Sequence, residues 1–331
     1  MNNKILVLGG LGYIGSHMVK LLHKNGYEVT IIDNLSNGRK ENPFSSEIKF
    51  ANLDISDVGS IREVLKEEFL AVFHFAAFIE AGESMSKPEK YYKNNVANTI
   101  EFLNQIIGSK IKYLIFSSTA AIYGEPVKLP ICEKHKKDPV NIYGHSKLII
   151  EEILQNYERI YGLNCGILRY FNACGSDYKN NLGECHNPET HLIPLLLQYV
   201  NGRRKEFYVY GDDYNTKDGT CIRDYIHVYD ICQAHLDLLN YMIKGGKERH
   251  FNIGSGTGYS ILEIIDEVKK CTKKDFSIIY KKRRDGDPSI LVADNSLAKQ
   301  KLKWRPRYNL SDIIKSAWEW EKILSNKINK L

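Results

Sequence analysis

Short runs of consecutive, mostly apolar residues recur through the first half of the chain. They occupy residues 4–8, 28–32, 71–75, 112–116 and 164–168, with a weaker run near residues 48–51. Strands of a parallel sheet are buried on both faces, so their sequences are apolar at successive positions rather than at alternating ones. The runs therefore predict buried parallel strands.

Between these runs, apolar residues repeat every three or four positions. The stripes start at Ile14, Ile61, Val96 and Ile149, and a later one covers residues 228–243. This spacing places the apolar residues on one face of a helix, and that face packs on a sheet. Alternating strands and helices predict an α/β fold, a Rossmann-like doubly wound parallel sheet with right-handed crossovers.

After about residue 170, loops rich in Gly, Asn, Asp and His interrupt this alternation. We therefore predict a dinucleotide-binding domain over residues 1–172, with a returning segment near residues 226–254. Residues 173–331 are predicted to form mainly a smaller α/β C-terminal substrate lobe. Ligands of such sheets bind at the carboxyl ends of the strands, so the cleft between the lobes is the expected site.

Composition narrows the function classes. Lys and Arg (46) slightly outnumber Asp and Glu (40), which suits a phosphorylated ligand but is too scattered for nucleic acid. The seven cysteines form no Cys-x-x-Cys pair, so we expect neither a metal site nor a disulfide framework. Apolar runs are too short for a membrane span or a signal peptide, and we expect a cytoplasmic protein.

A glycine-rich loop follows the first predicted strand, with Gly9, Gly12 and Gly15 in a Gly-x-x-Gly-x-x-Gly pattern. Glycine lets the backbone approach a pyrophosphate, and the N-terminus of the next helix attracts its charge. Asp33 ends the second strand, where a carboxylate accepts hydrogen bonds from a ribose 2′-hydroxyl and repels a 2′-phosphate. The pattern predicts NAD rather than NADP.

A second motif places Tyr143 and Lys147 four residues apart, on one face of a helix. A nearby ammonium group stabilises a phenolate, so we expect Lys147 to lower the pKa of Tyr143 and make it a general base. Residues 117–119 carry three hydroxyl groups at the end of a predicted strand, where a substrate oxygen could be held.

These motifs carry a resemblance that extends along nearly the whole chain. The chain resembles the extended short-chain dehydrogenases/reductases and, among them, the UDP-glucose 4-epimerases of the UDP-galactose/UDP-N-acetylhexosamine type. The segments that carry it, in the family's order, are residues 9–17, 32–38, 74–77, 82–96, 116–126, 143–147, 168–175, 211–228 and 283–294.

The resemblance implies NAD-dependent epimerisation of UDP-glucose and UDP-galactose through a transient 4-keto sugar, with N-acetylated sugars open as further substrates. Tyr143 would take the proton of the sugar 4-hydroxyl, Lys147 would tune it and hold the nicotinamide ribose, and Thr119 would hydrogen-bond the 4-oxygen. A homodimer is expected, joined through helices near residues 92–107 and 147–160.

The resemblance also implies two sets of binding residues. The cofactor set is Gly9, Gly12, Tyr13, Ile14, Gly15, Asp33, Asn34, Leu35, Ser36, Asn37, Gly38, Asp54, Ile55, Phe75, Ala76, Ala77, Asn94, Ser117, Tyr143, Lys147 and Phe171. The substrate set is Thr119, Asn172, His191, Leu192, Tyr210, Arg223, Arg284, Asp287 and Leu291. Asp224, beside Arg223, is the acid that would pair with it in a purely structural role.

The chain departs from the family pattern at three positions. Ile79 stands where some members have Lys, and His191 stands where the uridine site often has Asn. Leu291 occupies the position that resembles the size gate beside the sugar C2 group, where a bulky Tyr restricts the pocket to hexoses. Leu is intermediate in volume, so use of N-acetylated sugars stays open.

Two other classes remain as alternatives. Related sugar-nucleotide dehydratases and decarboxylases share the glycine loop and the Tyr–Lys pair, but use acidic residues directly after the Thr, where this chain has Ala120 and Ala121. A non-catalytic NAD-binding sensor would need no Tyr–Lys pair, would exchange its cofactor freely and would convert no UDP-sugar.

Overall fold

The computed structural model describes residues 2–39, 44, 46–284 and 287–328. Its strands are β1 Lys4–Leu8, β2 Glu28–Asp33, β3 Lys49–Asn52, β4 Ala71–His74, β5 Tyr113–Thr119, β6 Asn164–Tyr170, β7 Asn172–Cys174, β8 Ser176–Asp177, β9 Leu182–Gly183, β10 Tyr208–Tyr210, β11 Ile222–His227, β12 His250–Ile253, β13 Gly258–Ser260, β14 Ile279–Lys281 and β15 Ile290–Leu291.

The helices alternate with these strands, and three short turns complete the regular structure. The helices are α1 Tyr13–Lys24, α2 Val58–Val64, α3 Ala81–Ser86, α4 Pro88–Tyr91, α5 Asn98–Ile106, α6 Ile142–Tyr161, α7 Leu192–Val200, α8 Val228–Ile243, α9 Ile261–Thr272, α10 Ser296–Lys301 and α11 Leu310–Ile328. A π-helical turn spans Tyr92–Ala97, and 3₁₀ turns span Ala120–Tyr123 and Tyr178–Asn180.

Seven of the described strands form one parallel sheet in the order β12-β6-β5-β4-β1-β2-β3. Strand β1 pairs with β2 on one side and with β4 on the other, so the strand order reverses between β1 and β4. This is the switch point at which ligands of doubly wound sheets bind. The fold class predicted from the sequence is confirmed, and each predicted strand matches an observed one.

Two apolar layers cover this sheet. Met18 of α1 and Leu239 of α8 are fully buried in the layer on one face. On the other face, Phe102 of α5 and Leu154 of α6 are fully buried in a second layer. Helix α8 has the bounds that the apolar stripe predicts, and β12 then pairs with β6 at the sheet edge. The chain thus returns to the sheet after residue 226, whereas the domain boundary near residue 172 stays a prediction.

The second half of the chain builds a smaller α/β region around β11. This strand pairs with β7, β13 and β15, and helices α7, α9 and α11 pack into an apolar core of their own. Strand β7 follows β6 after a single residue, so the ends of the main sheet lie close to this second region.

Within the described part of the chain, none of the helices combines the length and the apolar composition that crossing a bilayer requires. The seven cysteines are free thiols.

Candidate functional site

The loop between β1 and α1 accepts only glycine at two positions. A Cβ on Gly9, whose φ is 73°, would lie 2.7 Å from the Ala76 backbone nitrogen. A Cβ on Gly15 would lie 2.1 Å from the Gly9 carbonyl oxygen, so α1 could not pack so closely against the loop. Helix α1 therefore begins beside the end of β1 with its first N–H groups directed out of the loop, which is the arrangement that binds a pyrophosphate.

Asp33 connects the loop before α1 with the loop after β2. Its carboxylate accepts hydrogen bonds from the backbone N–H groups of Leu11 (2.9 Å) and Leu35 (2.8 Å), and the residue is 7% exposed. Burial raises the pKa of Asp33, and the two backbone hydrogen bonds oppose that rise. Asp33 thus lies at the end of β2, where the sequence predicted the ribose ligand.

A cleft of about 530 Å³, counted with its open mouth, lies at the carboxyl ends of β1, β2 and β4. Its lining residues are Gly9, Gly12, Ile32, Asp33, Asn34, Ser36, Asn37, Gly38, Leu53, Asp54, Ile55, Phe75, Ala76, Ala77 and Asn94. All except Ile32 and Leu53 belong to the predicted cofactor set. These two were missed because strand residues of this type look like ordinary core residues in a sequence.

The other predicted cofactor residues lie outside the lining of this cleft. They are Tyr13, Ile14, Gly15, Leu35, Ser117, Tyr143, Lys147 and Phe171. Tyr13 donates a hydrogen bond from its hydroxyl group to the Gly175 carbonyl oxygen (2.7 Å), which links α1 to the loop after β7. At the mouth of the cleft, the Asn34 amide donates a hydrogen bond to the Asp54 carboxylate (2.6 Å). This contact connects the loop after β2 with the loop after β3.

The predicted catalytic residues lie where β5 ends and α6 begins. Tyr143 is in the first turn of α6, and its phenol is hydrogen-bonded to the side chain of Thr119, the last residue of β5. Burial raises the pKa of Tyr143 to about 12, while this hydrogen bond acts in the opposite direction. Ser84 was not predicted, yet its hydroxyl oxygen accepts a hydrogen bond from the Tyr143 backbone N–H (3.1 Å) and fixes the start of the helix.

Lys147 is buried one turn further along α6. Its ammonium group donates to the Ser117 carbonyl oxygen (2.9 Å) and lies 4.8 Å from the centre of the Phe116 ring. Burial lowers the pKa of Lys147 to about 7, although the negative charge of Glu151 opposes this. The expected lowering of the Tyr143 pKa by Lys147 is absent from the protein alone, because desolvation of the phenol dominates and the ammonium group is directed at a carbonyl oxygen.

Glu151 completes the polar face of α6, although it was not among the predicted site residues. It accepts hydrogen bonds from the Ser118 hydroxyl (2.5 Å) and from the Arg169 guanidinium (2.6 Å), and both charged residues are almost fully buried. Its position four residues after Lys147, on the same helix face, was the available signal. The buried pair anchors α6 to β5 and β6.

Of the two arginines in the predicted substrate set, one lies over an aromatic ring and the other is paired with an acid. The Arg284 guanidinium lies 4.1 Å from the centre of the Tyr210 ring, and Arg223 forms an ion pair with Asp287. The alternative pairing of Arg223 with its neighbour Asp224 is wrong. Asp224 instead accepts backbone hydrogen bonds from Ser255, Gly256 and Ala293, because successive residues of a strand face opposite sides.

Leu291 and Asn172 belong to two strands that pair with different parts of β11. Leu291 in β15 pairs with Arg223, whereas Asn172 in β7 pairs with Tyr225 and is exposed. Leu291 also packs against the apolar cluster that contains Phe171 and Ala120, the residue after Thr119. The predicted size gate therefore packs against the cluster that contains the chain neighbour of Thr119, whose hydroxyl group is predicted to hold the sugar 4-oxygen.

Leu192 is the first residue of α7, and His191 is the N-cap residue before it. The His191 Nδ1 atom lies 2.7 Å from the Glu184 carboxylate and 3.0 Å from the Glu189 carboxylate. A uridine contact from this residue stays a prediction that would use its other ring nitrogen. The Ile79 backbone N–H donates to the Glu80 carboxylate (3.1 Å), and its side chain offers no polar atom.

Known proteins are similar to this chain in both fold and sequence. The model of the family described as GDP-mannose 4,6 dehydratase matches residues 6–317. The UDP-glucose 4-epimerase of Rhizobium meliloti (strain 1021) is 46% identical over 323 residues, 96% of this chain and 97% of that protein.

Two solved structures are similar over almost their whole length. The UDP-glucose 4-epimerase from Brucella ovis, in complex with NAD, superposes with a TM-score of 0.91 at 43% identity, covering 96% of this chain and 97% of that one. The UDP-Glc/GlcNAc 4-epimerase from Campylobacter jejuni superposes with a TM-score of 0.86 at 40% identity, covering 97% and 99%. The chain therefore belongs to the UDP-glucose 4-epimerase family, within the extended short-chain dehydrogenases/reductases.

Proposed function

We propose that the protein is an NAD-dependent 4-epimerase that interconverts UDP-glucose and UDP-galactose through a transient 4-keto sugar. One observation carries this proposal. The hydrogen-bonded Thr119–Tyr143 pair, with Lys147 one turn away, lies at the carboxyl end of the same sheet that holds the glycine-loop cleft.

The cleft fits NAD. The two glycines that tolerate no Cβ leave room for a pyrophosphate, and Asp33 offers acceptor oxygens to a ribose diol while disfavouring a 2′-phosphate. When bound, NAD+ supplies the hydride acceptor and donor for the sugar C4. The Brucella ovis relative is described in complex with NAD, which supports this assignment.

Tyr143 and Thr119 handle the proton in this proposal. The Tyr143 phenolate would take the 4-hydroxyl proton as C4 is oxidised, and the resulting phenol would return it when the 4-keto sugar is reduced on its other face. Thr119 holds the 4-oxygen, and its hydrogen bond to the phenol favours the phenolate that proton loss requires. Lys147 in its charged form stabilises that phenolate.

A 4,6-dehydratase, the activity in the description of the matching family model, fits less well. That reaction removes the C5 proton and expels the 6-hydroxyl group, so it needs an acid and a base directly after the Thr. The 3₁₀ turn after Thr119 begins with Ala120 and Ala121, whose side chains transfer no protons. The epimerase proposal needs neither group.

We assign the diphosphate to Arg223 and Arg284 and the uracil to the neighbourhood of Tyr210. Guanidinium groups bind phosphates through paired, charge-assisted hydrogen bonds. The Arg223–Asp287 ion pair orients one of them before substrate arrives. Asn172, His191, Leu192 and Leu291 complete the proposed substrate set, and the last of these leaves room for N-acetylated sugars.

We further propose that two chains associate through the outer faces of α5 and α6. Tyr157 of α6 already donates a hydrogen bond to Asn104 of α5 (2.8 Å), and Ile160 is 63% exposed on the same helix. Exposed apolar side chains on such a face favour association with a second copy. Free thiols are typical of cytoplasmic proteins, and we place the enzyme there.

The test uses the purified protein without added NAD, incubated separately with UDP-galactose and UDP-N-acetylgalactosamine, with products resolved by NMR. Conversion of UDP-galactose supports the epimerase with resident cofactor, and conversion of both supports an open gate at Leu291. No conversion of either, even after NAD is supplied, would overturn the proposal and favour the NAD-binding sensor. Light scattering of the same sample measures whether the chain is a dimer.

A further inference from the structure

Four side chains of the types that bind metal ions lie close together where the segment after β9 leads into α7. Glu184, His186, Glu189 and His191 each offer one ligand atom, and these atoms lie within 4.8 Å of one another. Glu184 and Glu189 are buried, with side chains 6% and 5% exposed, and His191 is more open at 38%. From the sequence we predicted no metal site, because the seven cysteines form no Cys-x-x-Cys pair.

The spacing of the ligand atoms suits a four-coordinate ion. Bonds of about 2.0–2.1 Å from Zn²⁺ to nitrogen and oxygen place tetrahedral ligands about 3.3 Å apart. The His191 Nδ1 atom lies 2.7 Å from a Glu184 oxygen and 3.0 Å from a Glu189 oxygen. The His186 Nδ1 atom lies 3.2 Å and 3.8 Å from the same two carboxylates. The four distances lie on both sides of the tetrahedral value.

A second observation points to a ligand at this place. The side chain of His186 is only 10% exposed, and its Nδ1 atom makes no hydrogen bond, although a Glu184 oxygen lies 3.2 Å away. A buried ring nitrogen without a partner is uncommon and calls for a bound group. That atom is directed at the two carboxylates rather than at solvent.

The surrounding backbone holds one ligand in place. The Glu189 Oε1 atom accepts hydrogen bonds from the backbone N–H groups of Thr190 (2.8 Å) and His191 (2.9 Å). Outer partners of this kind fix the orientation of a ligand and strengthen metal binding. The other carboxylate oxygen of Glu189 remains free to face His186.

We propose that Glu184, His186, Glu189 and His191 bind one Zn²⁺ ion. Two imidazole nitrogens and two carboxylate oxygens form a donor set that zinc accepts, and divalent zinc binds such sites more tightly than manganese or iron. All four positions are supplied by protein, which is typical of structural rather than catalytic zinc.

The ion would stabilise the border between the two halves of the molecule. His186 lines a small pocket together with Gly12, Tyr13 and Asn37, and two of these residues also line the cofactor cleft. The ring of His186 contacts the Tyr13 ring edge to face, 6.3 Å between centres. A metal bound here would hold the segment from residue 184 to 191 against the glycine-rich loop. This proposal stands whether or not the epimerase activity is found.

The test measures metal rather than activity. Untagged protein, grown with zinc and dialysed against metal-free buffer, should contain about one zinc per chain by mass spectrometry. After chelation, Co²⁺ should restore one equivalent with the visible absorption of a four-coordinate N/O site. Zinc at a hundredfold excess over its dissociation constant should raise the Tm by on the order of 5 °C.

Variants separate a zinc site from a cluster of ion pairs. Glu189→Gln keeps the size of the side chain and its backbone hydrogen bonds, and His186→Gln removes the unpartnered nitrogen; each should weaken zinc binding by at least ~100-fold, more than the loss of an outer partner. His23→Gln, in an exposed ion pair with Glu47 (3.5 Å), is the matched control and should leave zinc content unchanged.

Two results would overturn the proposal. One is wild-type protein that binds no zinc, or binds it no more tightly than the folded Glu189→Gln variant does, which would leave only ion pairs at this place. The other is equal loss of zinc in the His23→Gln control, which would place the metal elsewhere. Circular dichroism of each variant shows that the compared proteins are folded.

Discussion

Two effects act on the pKa of the Tyr143 phenol in opposite directions. Its buried surroundings hold the proton on the oxygen, and the side chain of Thr119 favours the phenolate. The pKa of about 12 shows that burial dominates in the protein alone. Bound ligands and Lys147 must therefore supply the remaining stabilisation of the phenolate during turnover.

Replacing Tyr143 by Phe removes the proton acceptor while keeping the ring that fills the site. We expect kcat for UDP-galactose to fall by about 10²–10⁴-fold, the usual contribution of a positioned general base. Steady-state kinetics measures this loss. Tyr161→Phe, on the exposed end of the same helix, is the control and should keep full turnover. A Tyr143→Phe enzyme with more than a tenth of wild-type kcat would contradict the role.

Leu291 is the residue on which substrate preference should depend. It packs against the apolar cluster that contains Ala120 and Phe171, and we expect added bulk there to extend toward the proposed sugar site. We expect Leu291→Tyr to reduce kcat/KM for UDP-N-acetylgalactosamine at least tenfold more than for UDP-galactose. Leu291→Met conserves volume and should change both values little. Equal losses on the two substrates in the Tyr variant would show that this position is no gate.

Individual residues could be predicted from the sequence where a local motif fixes them. Gly9, Gly15 and Asp33 follow from the dinucleotide-binding pattern, and in the structure Gly9 and Asp33 line the cleft while Gly15 packs against the Gly9 carbonyl oxygen. Ion-pair partners could not be predicted in this way. Arg223 pairs with Asp287, sixty-four positions away, because β15 brings that segment alongside β11.

Helix α6 is the element that joins catalysis to stability. One face carries Tyr143, Lys147 and Glu151 in successive turns, and Glu151 is fully buried against Arg169 of β6. The carboxylate also raises the pKa of Lys147 against the effect of burial. The helix can present a charged lysine in an apolar layer because a second, paired charge lies one turn away.

Glu151→Gln should destabilise the protein by roughly 3–5 kcal/mol, because it leaves the Arg169 charge buried without its counterion. Urea unfolding at neutral pH measures the loss. Glu152→Gln changes the exposed neighbour and serves as the control. The double variant Glu151→Met, Arg169→Met should recover most of the stability, since apolar groups of similar size replace the pair. A single variant as stable as wild type would refute the anchoring role.

Elements of the main sheet were predictable, and the connecting elements were less so. Strands such as β1 stand out as runs of successive apolar residues, and helices such as α8 stand out because apolar residues repeat every three or four positions. The π-helical turn Tyr92–Ala97 and the 3₁₀ turn Ala120–Tyr123 have no such period. Their shapes depend on distant contacts, such as the amide of Asn95 with the backbone of Phe78, which single-sequence patterns do not reveal.

At the scale of the whole molecule, the two halves are linked by contacts between residues far apart in the chain. Tyr13 in the first helix binds the carbonyl oxygen of Gly175, and His17 accepts a hydrogen bond from the backbone N–H of Asp177 (3.2 Å). The sequence predicts that a cleft forms between the halves, since parallel strands share one carboxyl edge. It does not predict these contacts, because the partners are 162 and 160 positions apart in the chain.

Buried histidines make the stability of the whole molecule depend on pH. Burial lowers the pKa of His74 to about 3, helped by the charge of Lys147, and lowers the pKa values of His17 and His235 to about 4. In the unfolded chain these rings take up protons near pH 6.5. Between pH 6.5 and about 4 the unfolded state therefore binds more protons than the folded state, and stability falls as the pH falls.

His74 isolates the contribution of one such ring. It is 1% exposed and packs between the rings of Phe102 and Phe116, so it stays neutral in the folded protein at pH 5. Lowering the pH from 7 to 5 should cost the wild type about 2 kcal/mol through this residue alone. In His74→Gln that part of the drop should disappear, whatever the variant costs at pH 7. Urea unfolding of both proteins at the two pH values measures the difference, and an unchanged drop would mean that His74 takes up its proton in the folded state as readily as in the unfolded one.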